Sequence, residues 1–96
     1  MQMIKTFRSK VLKALWLRGR AKGIDSKSAE RIVTILDLLD KATMPEDMDL
    51  PGFAFHRLKG FRKDQYAVEI RAQWRIVFEW EDGHAVRVDE EDYHGG

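Results

Sequence analysis

Ninety-six residues, 44% apolar and 34% charged, supply chain for one modest core and no second, so a single domain over 1–96 is expected. The absence of cysteine excludes disulfides, thiolate metal sites and thiol nucleophiles, and no apolar run approaches the roughly 18 residues of a membrane span. The net charge of +1 is strongly segregated: residues 1–22 hold seven Lys or Arg and no acid, 23–55 three basic and seven acidic groups, 56–78 six and two, and 79–96 one and seven.

Two positive blocks on a near-neutral chain point to a polyanion-facing surface, with acidic elements elsewhere keeping the protein soluble. Local pairing across solvated faces is the alternative. The N-terminal "MQMIKTFRSK" carries no signal-peptide apolar core, so a cytoplasmic protein without membrane association is expected.

In chain order, Met3 to Phe7 reads as a short strand. Val11, Leu12, Leu15 and Trp16 then fall at helical spacing, with Lys10, Lys13 and Arg18 on the wetter side, and Gly19 or Gly23 can stop that helix. Asp25 or Ser26 can cap the next one, in which Ala29, Ile32, Val33, Leu36 and Leu39 repeat at three and four up to about Ala42. Pro45 and Pro51 in "TMPEDMDLPG" forbid its continuation.

Beyond Phe53 the period becomes two. Tyr66, Val68 and Ile70 form one alternating run, and Trp74, Ile76, Phe78 and Trp80 another. "EDG" at 81–83 marks a tight turn, and Val86 and Val88 flank Arg87 in a last strand over 84–89. Helices first and hairpin-linked strands second predict an α+β fold: two N-terminal helices packed on a small twisted antiparallel sheet. If Trp74, Ile76 and Phe78 face the helices, Arg75 points away, and Arg71 and Arg87 are expected on the same outer face. Such a face is a platform for phosphodiesters, or else its arginines pair with cross-strand acids such as Glu69 or Glu79.

"FHRLKGFRK" at 55–63 places His56, Arg57, Lys59, Arg62 and Lys63 around a glycine turn. The closing "EEDYHGG" places Asp92, Tyr93 and His94 at the end of the last strand. Histidine exchanges protons near neutral pH and lysine stabilises charge on phosphate oxygens, although each cluster read alone is equally a set of solvated side chains. Ser9, Ser26 and Ser28 lie in helical contexts without a nucleophile-elbow pattern. The three histidines are scattered, so no metal site is expected, and no phosphate-cradling glycine motif supports a nucleotide cofactor. The remaining toolkit is metal-free acid–base chemistry around a phosphate. It suits RNA, whose 2′-hydroxyl is a built-in nucleophile.

"MIKTFRSKVLKALW", "FHRLKG", "QWRIVFEWEDG" and "EDYH", in that order, resemble the HigB branch of the RelE superfamily, the toxin halves of type II toxin–antitoxin modules. The resemblance implies a compact RelE-like fold and an mRNA endoribonuclease (mRNA interferase) that cuts on translating ribosomes and inhibits translation. It also implies a HigA-like helix-turn-helix antitoxin, with operator DNA bound only through the toxin–antitoxin complex.

Position by position, the family's histidine and lysine match His56 and Lys59, its strand arginine matches Arg75, and its terminal triplet matches Asp92, Tyr93 and His94. His94 or His56 then serves as general base or acid, Lys59 and Arg75 stabilise phosphate charge, Tyr93 stacks or orients, and Asp92 assists a histidine. Arg57, Arg62, Lys63, Arg71 and Arg87 are the expected RNA-binding set. Met1 and Gln2 before the "MIK" start, and Gly95 and Gly96 after the triplet, depart from the pattern. Two other classes stay open: a non-cutting module that binds RNA, the ribosome or an antitoxin, and a DNA-binding regulator built on the basic first helix. The loose Ile24–Ser28 spacing argues against the regulator.

Overall fold

The computed structural model describes residues 4–92. Two helices, α1 (Lys10–Arg18) and α2 (Ser26–Lys41), precede four strands, β1 (His56–Arg57), β2 (Tyr66–Arg71), β3 (Trp74–Glu81) and β4 (His84–Asp92). The strands form one antiparallel sheet in the order β1-β2-β3-β4. The α+β architecture expected from the sequence is therefore the observed one.

Local chemistry sets the helix limits. Ser9, in extended backbone, accepts the Leu12 N–H through Oγ at 3.1 Å, and Gly19 ends α1 in the left-handed region at φ 68. Asp25 caps α2 by accepting the Ser28 N–H at 3.1 Å. Pro45 opens a single 3₁₀ turn (Pro45–Met48), which diverts the chain and buries Met48. One face of each helix packs on the sheet: Leu12 and Leu15 from α1, and Ile32, Ile35, Leu36 and Leu39 from α2, against Val68, Ile70, Ile76, Phe78 and Val88. Phe55, Tyr66 and Phe78 stack in series, with ring centroids 5.8 and 5.6 Å apart. No helix among the described residues is long and apolar enough to cross a membrane.

Three local expectations are corrected. The N-terminal strand is a single parallel bridge, Phe7 to Val88, supported by the Lys5 N–H to Ala85 O and Arg8 N–H to Val88 O bonds at 2.9 and 2.8 Å. Met3 lies outside the described residues.

Val86 and Val88 do not share a face. The β3–β4 register shifts between Val77 and Glu79, and Arg87 sits at φ 50 as the extra residue of a bulge. Its N–H is taken by Thr6 Oγ1 at 2.7 Å. Val88 therefore enters the helix-side core, while Val86, paired with Glu79, is buried on the outer face with Ala67 and Val77.

Trp74, expected in the core, stays 42% exposed. It lines a cavity of about 250 Å³ on the helix side of the sheet, with Val11, Ile24, Ile32 and Ile70.

Candidate active site

Register places the outer-face residues in rows. His56, Ala67 and Val77 form one row across β1, β2 and β3, and Glu69, Arg75 and Glu91 form the next across β2, β3 and β4. His56 and Arg75 thus share a face, about 10 Å apart across the strands and about 7 Å along them from standard sheet spacings.

His56 is exposed on the short edge strand, with Nδ1 2.9 Å from the Ala54 carbonyl oxygen. A carbonyl only accepts, so Nδ1 carries the proton in this contact and Nε2 is the ring nitrogen left for exchange. Lys59 is exposed three residues further on, at the start of the 3₁₀ turn Gly60–Arg62.

Between β1 and β2 the chain folds over the outer face, and the arginines there are held by carboxylates. The Arg62 guanidinium grips Glu91 with two nitrogens at 3.1 and 2.8 Å, although 29 residues separate them. Arg75, whose side chain is only 13% exposed, donates to the same carboxylate through Nε at 2.7 Å and again through Nη2. Arg62 Nε also donates to Gln65 Oε1 at 2.6 Å, Gln65 reaches Glu79 at 3.4 Å, and Glu79 accepts from Arg87 Nε at 3.0 Å. Arg87 completes the chain with an ion pair to Glu81.

Seven side chains, two from the segment before β2 and five from β3 and β4, thus form one network on the face where Ala67, Val77 and Val86 are buried. The Glu91 carboxyl is held below its ordinary pKa, first by its hydrogen bonds with Arg62 and, against the effect of burial, by those with Arg75. Arg62 is correspondingly raised by Glu91, and Arg87 by Glu81 and then Glu79.

The network joins Arg75, Arg62 and Arg87 of the expected set. Lys63 is exposed, and its carbonyl holds the Arg57 Nε. Arg57 itself lies in the row of Tyr66, with its guanidinium 5.8 Å from that ring, so it belongs to the rim rather than to the His56 row. Arg71 is a correction: it turns away from the outer face and pairs with Asp25 at the start of α2, at 3.3 Å. The cause is the register slip between Glu69 and Arg71, which ends the strict alternation of β2. Asp92 closes β4 opposite Trp74, exposed. Tyr93 and His94 lie outside the described residues.

Two groups here escaped the sequence reading. One is Glu91, signalled only by the acid run before the terminal triplet. The other is Phe61, 99% exposed at the tip of the turn between Lys59 and Arg62. Among the described residues no group of three or more His, Asp or Glu could hold a metal ion.

The model of the RelE-like toxin of type II toxin–antitoxin system HigB matches residues 5–94. The chain belongs to the HigB-like toxin family. It is similar to Endoribonuclease HigB of Proteus vulgaris, 36% identical over 92 residues, which are 96% of this chain and all of that one. It is also similar to Toxin HigB-1 of Vibrio cholerae, 31% identical over 68 residues, covering 70% of this chain and 72% of that one. A structure of the YoeB dimer from Staphylococcus aureus has the same fold, with a TM-score of 0.62 at 19% identity, covering 98% of this chain and 99% of that chain. As a HigB-like toxin, the chain is one half of a type II pair and has an antitoxin for partner.

Proposed function

We propose that this HigB-like toxin is an mRNA endoribonuclease acting on translating ribosomes, neutralised by a HigA-like helix-turn-helix antitoxin. The observation that carries the reading is His56. Its Nδ1 is taken up by the Ala54 carbonyl, which leaves Nε2 as the nitrogen for proton transfer, and its row lies on the face that holds Arg75.

In the proposed reaction a histidine takes the proton of the RNA 2′-hydroxyl. The 2′-oxygen then bonds to the adjacent phosphorus, and the P–O5′ bond breaks. A second acid protonates the leaving 5′-oxygen, giving a 2′,3′-cyclic phosphate and a 5′-hydroxyl. His56 and His94 are the proton carriers, with Asp92 assisting a histidine and Tyr93 stacking on or orienting the substrate. Lys59 and Arg75 stabilise the phosphorane, whose extra negative charge exceeds that of the bound ground state. No step calls for a metal.

The distribution of charge supports ribosome dependence. On the sheet face Arg62, Arg75 and Arg87 are already neutralised by carboxylates, which weakens any grip on free RNA. By contrast, Lys5, Arg8, Lys10, Lys13, Arg18, Arg20 and Lys22 are all exposed, and none has a carboxylate within salt-bridge distance among the described residues. Those cations are an anchor for structured RNA, so docking supplies the affinity that the catalytic face lacks.

The test is primer extension on a translated reporter mRNA after brief induction. Wild type is run beside Lys59→Ala, His56→Ala and His94→Ala, with translation blocked in a parallel sample. In-frame cuts that vanish in the variants and without translation are expected. Cuts that persist without translation would remove the ribosome from the reading, and none from folded wild type would leave a binding module.

A further inference from the structure

The Arg62–Glu91–Arg75 triad has the geometry of a double-arginine phosphate clamp already occupied. Two guanidiniums, one on the turn after β1 and one on β3, converge on the two oxygens of a single carboxylate from β4. Arginine's fork fits carboxylate and phosphate alike, so whatever holds two arginines in this way also marks a seat of the right size and charge for a phosphodiester. Glu91 is only 26% exposed and Arg75 13%, so the clamp is shielded from salt far better than a surface pair.

We propose that Glu91 is an internal stand-in for a substrate phosphate, and that it sets the preference of the site for delivered RNA over free single strands. This rests on reading the outer face as the RNA-facing one. With Glu91 in place, an incoming phosphate must displace or share a bound carboxylate, so a free strand gains little from either arginine. A strand already held elsewhere meets the seat at high effective concentration and takes it. Glu91 also keeps Arg62 and Arg75 in position between turnovers, so no rotamer freedom has to be lost when RNA arrives.

Glu91→Gln keeps an amide of the same shape and removes the competing charge. The probe is an all-2′-deoxy single-stranded oligonucleotide, which cannot be cut through a 2′-hydroxyl and therefore reads affinity alone. Each phosphate newly held by an arginine steepens the log–log salt slope by about 0.7, or about fivefold in affinity at 0.1 M relative to 1 M salt; one or two such phosphates give about five- to twenty-five-fold tighter binding. Glu46→Gln, the same charge change at an exposed carboxylate on the 3₁₀ turn after α2, should do neither.

Arg62→Gln is the second arm. In wild type it should lower the salt slope by well under one phosphate contact, because the Arg62 guanidinium is already occupied by Glu91, and in Glu91→Gln it should remove about half of the increase in slope. Equal increases from Glu91→Gln and Glu46→Gln would reduce the effect to long-range charge and overturn the proposal. So would an unchanged slope in folded Glu91→Gln. Should Glu91→Gln fail to fold, Arg62→Gln alone decides: a fall in the wild-type salt slope by the full ~0.7 of one phosphate contact shows that the seat was open and overturns the proposal. Because the probe is uncleavable, a wild type that cuts no RNA leaves this outcome readable, and a failed clamp leaves the nuclease reading standing.

Discussion

Replacing Ser9 with alanine should cost this fold about 2 kcal/mol, because one hydroxyl does two tasks. It accepts the Leu12 N–H at 3.1 Å as the cap of α1, and it donates to Glu90 Oε1 on β4 at 3.2 Å. Loss of a serine cap costs about 1 kcal/mol. The bond to Glu90 is a charge-assisted one of moderate length at a half-buried site, and about 1 kcal/mol is a discounted figure for it. Ser9 itself is 8% exposed, so water cannot easily take its place.

For a chain of 96 residues, 2 kcal/mol corresponds to a fall in Tm of about 10 °C, from an unfolding entropy of about 2 cal/mol/K per residue. Thermal and urea unfolding followed by circular dichroism measure it. In a Glu90→Ala background the same substitution should cost only the cap, about 1 kcal/mol.

The cost should also depend on pH. Burial raises the Glu90 carboxyl, partly opposed by the Ser9 bond. A raised folded pKa means that the penalty of burying the charge is absent below the unfolded value of about 4.3 and develops as pH rises through the interval above it. Ser9→Ala should therefore be milder at pH 4 than at pH 7. A loss of under 3 °C, or strict additivity with Glu90→Ala, would refute the dual role.

Glu91 titrates with the opposite sign. Its folded pKa is depressed by Arg62 and Arg75, so its stabilisation is present above about pH 4.3 and lost as pH falls through the folded value. Glu91→Gln should flatten the acid limb of stability in urea titrations below about pH 4.3. Ile35, fully buried between α2 and the sheet, should cost about 2–5 kcal/mol as Ile35→Ala, read from the urea midpoint. Phe61→Ala should leave the melting curve unmoved, because the ring is 99% exposed, yet weaken binding of a single-stranded oligonucleotide by about 1–3 kcal/mol through a lost stacking partner.

The sequence and the fold agree wherever structure is decided within one turn or one strand. Asp25 and Gly19 delimit helices because capping is settled by groups three or four residues away, and the hairpin at 81–83 follows from residues whose backbone tolerates positive φ, as Asp82 and Gly83 do. Alternation placed Arg75 on the outer face for the same reason. It failed at Val86 and Arg71, where a bulge and a register slip interrupt the period; both are set by how β4 and β2 fit their neighbours, not by their own residues.

Charge blocks follow the same division. Composition shows a basic stretch over 56–78 and an acidic one over 79–96, but not that the sheet lays one on the other. Arg62 and Arg75 find Glu91 29 and 16 residues away, and Arg87 finds Glu79 across the hairpin. The outer face is thus close to neutral while carrying three arginines, and the first 22 residues, with seven cations and no acid, supply a positive surface without carboxylate partners among the described residues. If affinity and chemistry are divided between these surfaces, neutralising Lys10 and Lys13 together should lower the salt slope of ribosome binding by about 1–2. Cutting of an mRNA already engaged would keep its dependence on Lys59 and His56. On that division, a site whose affinity lies elsewhere would be spared from binding every free strand, and the pairing of its arginines would be the physical form of that restraint.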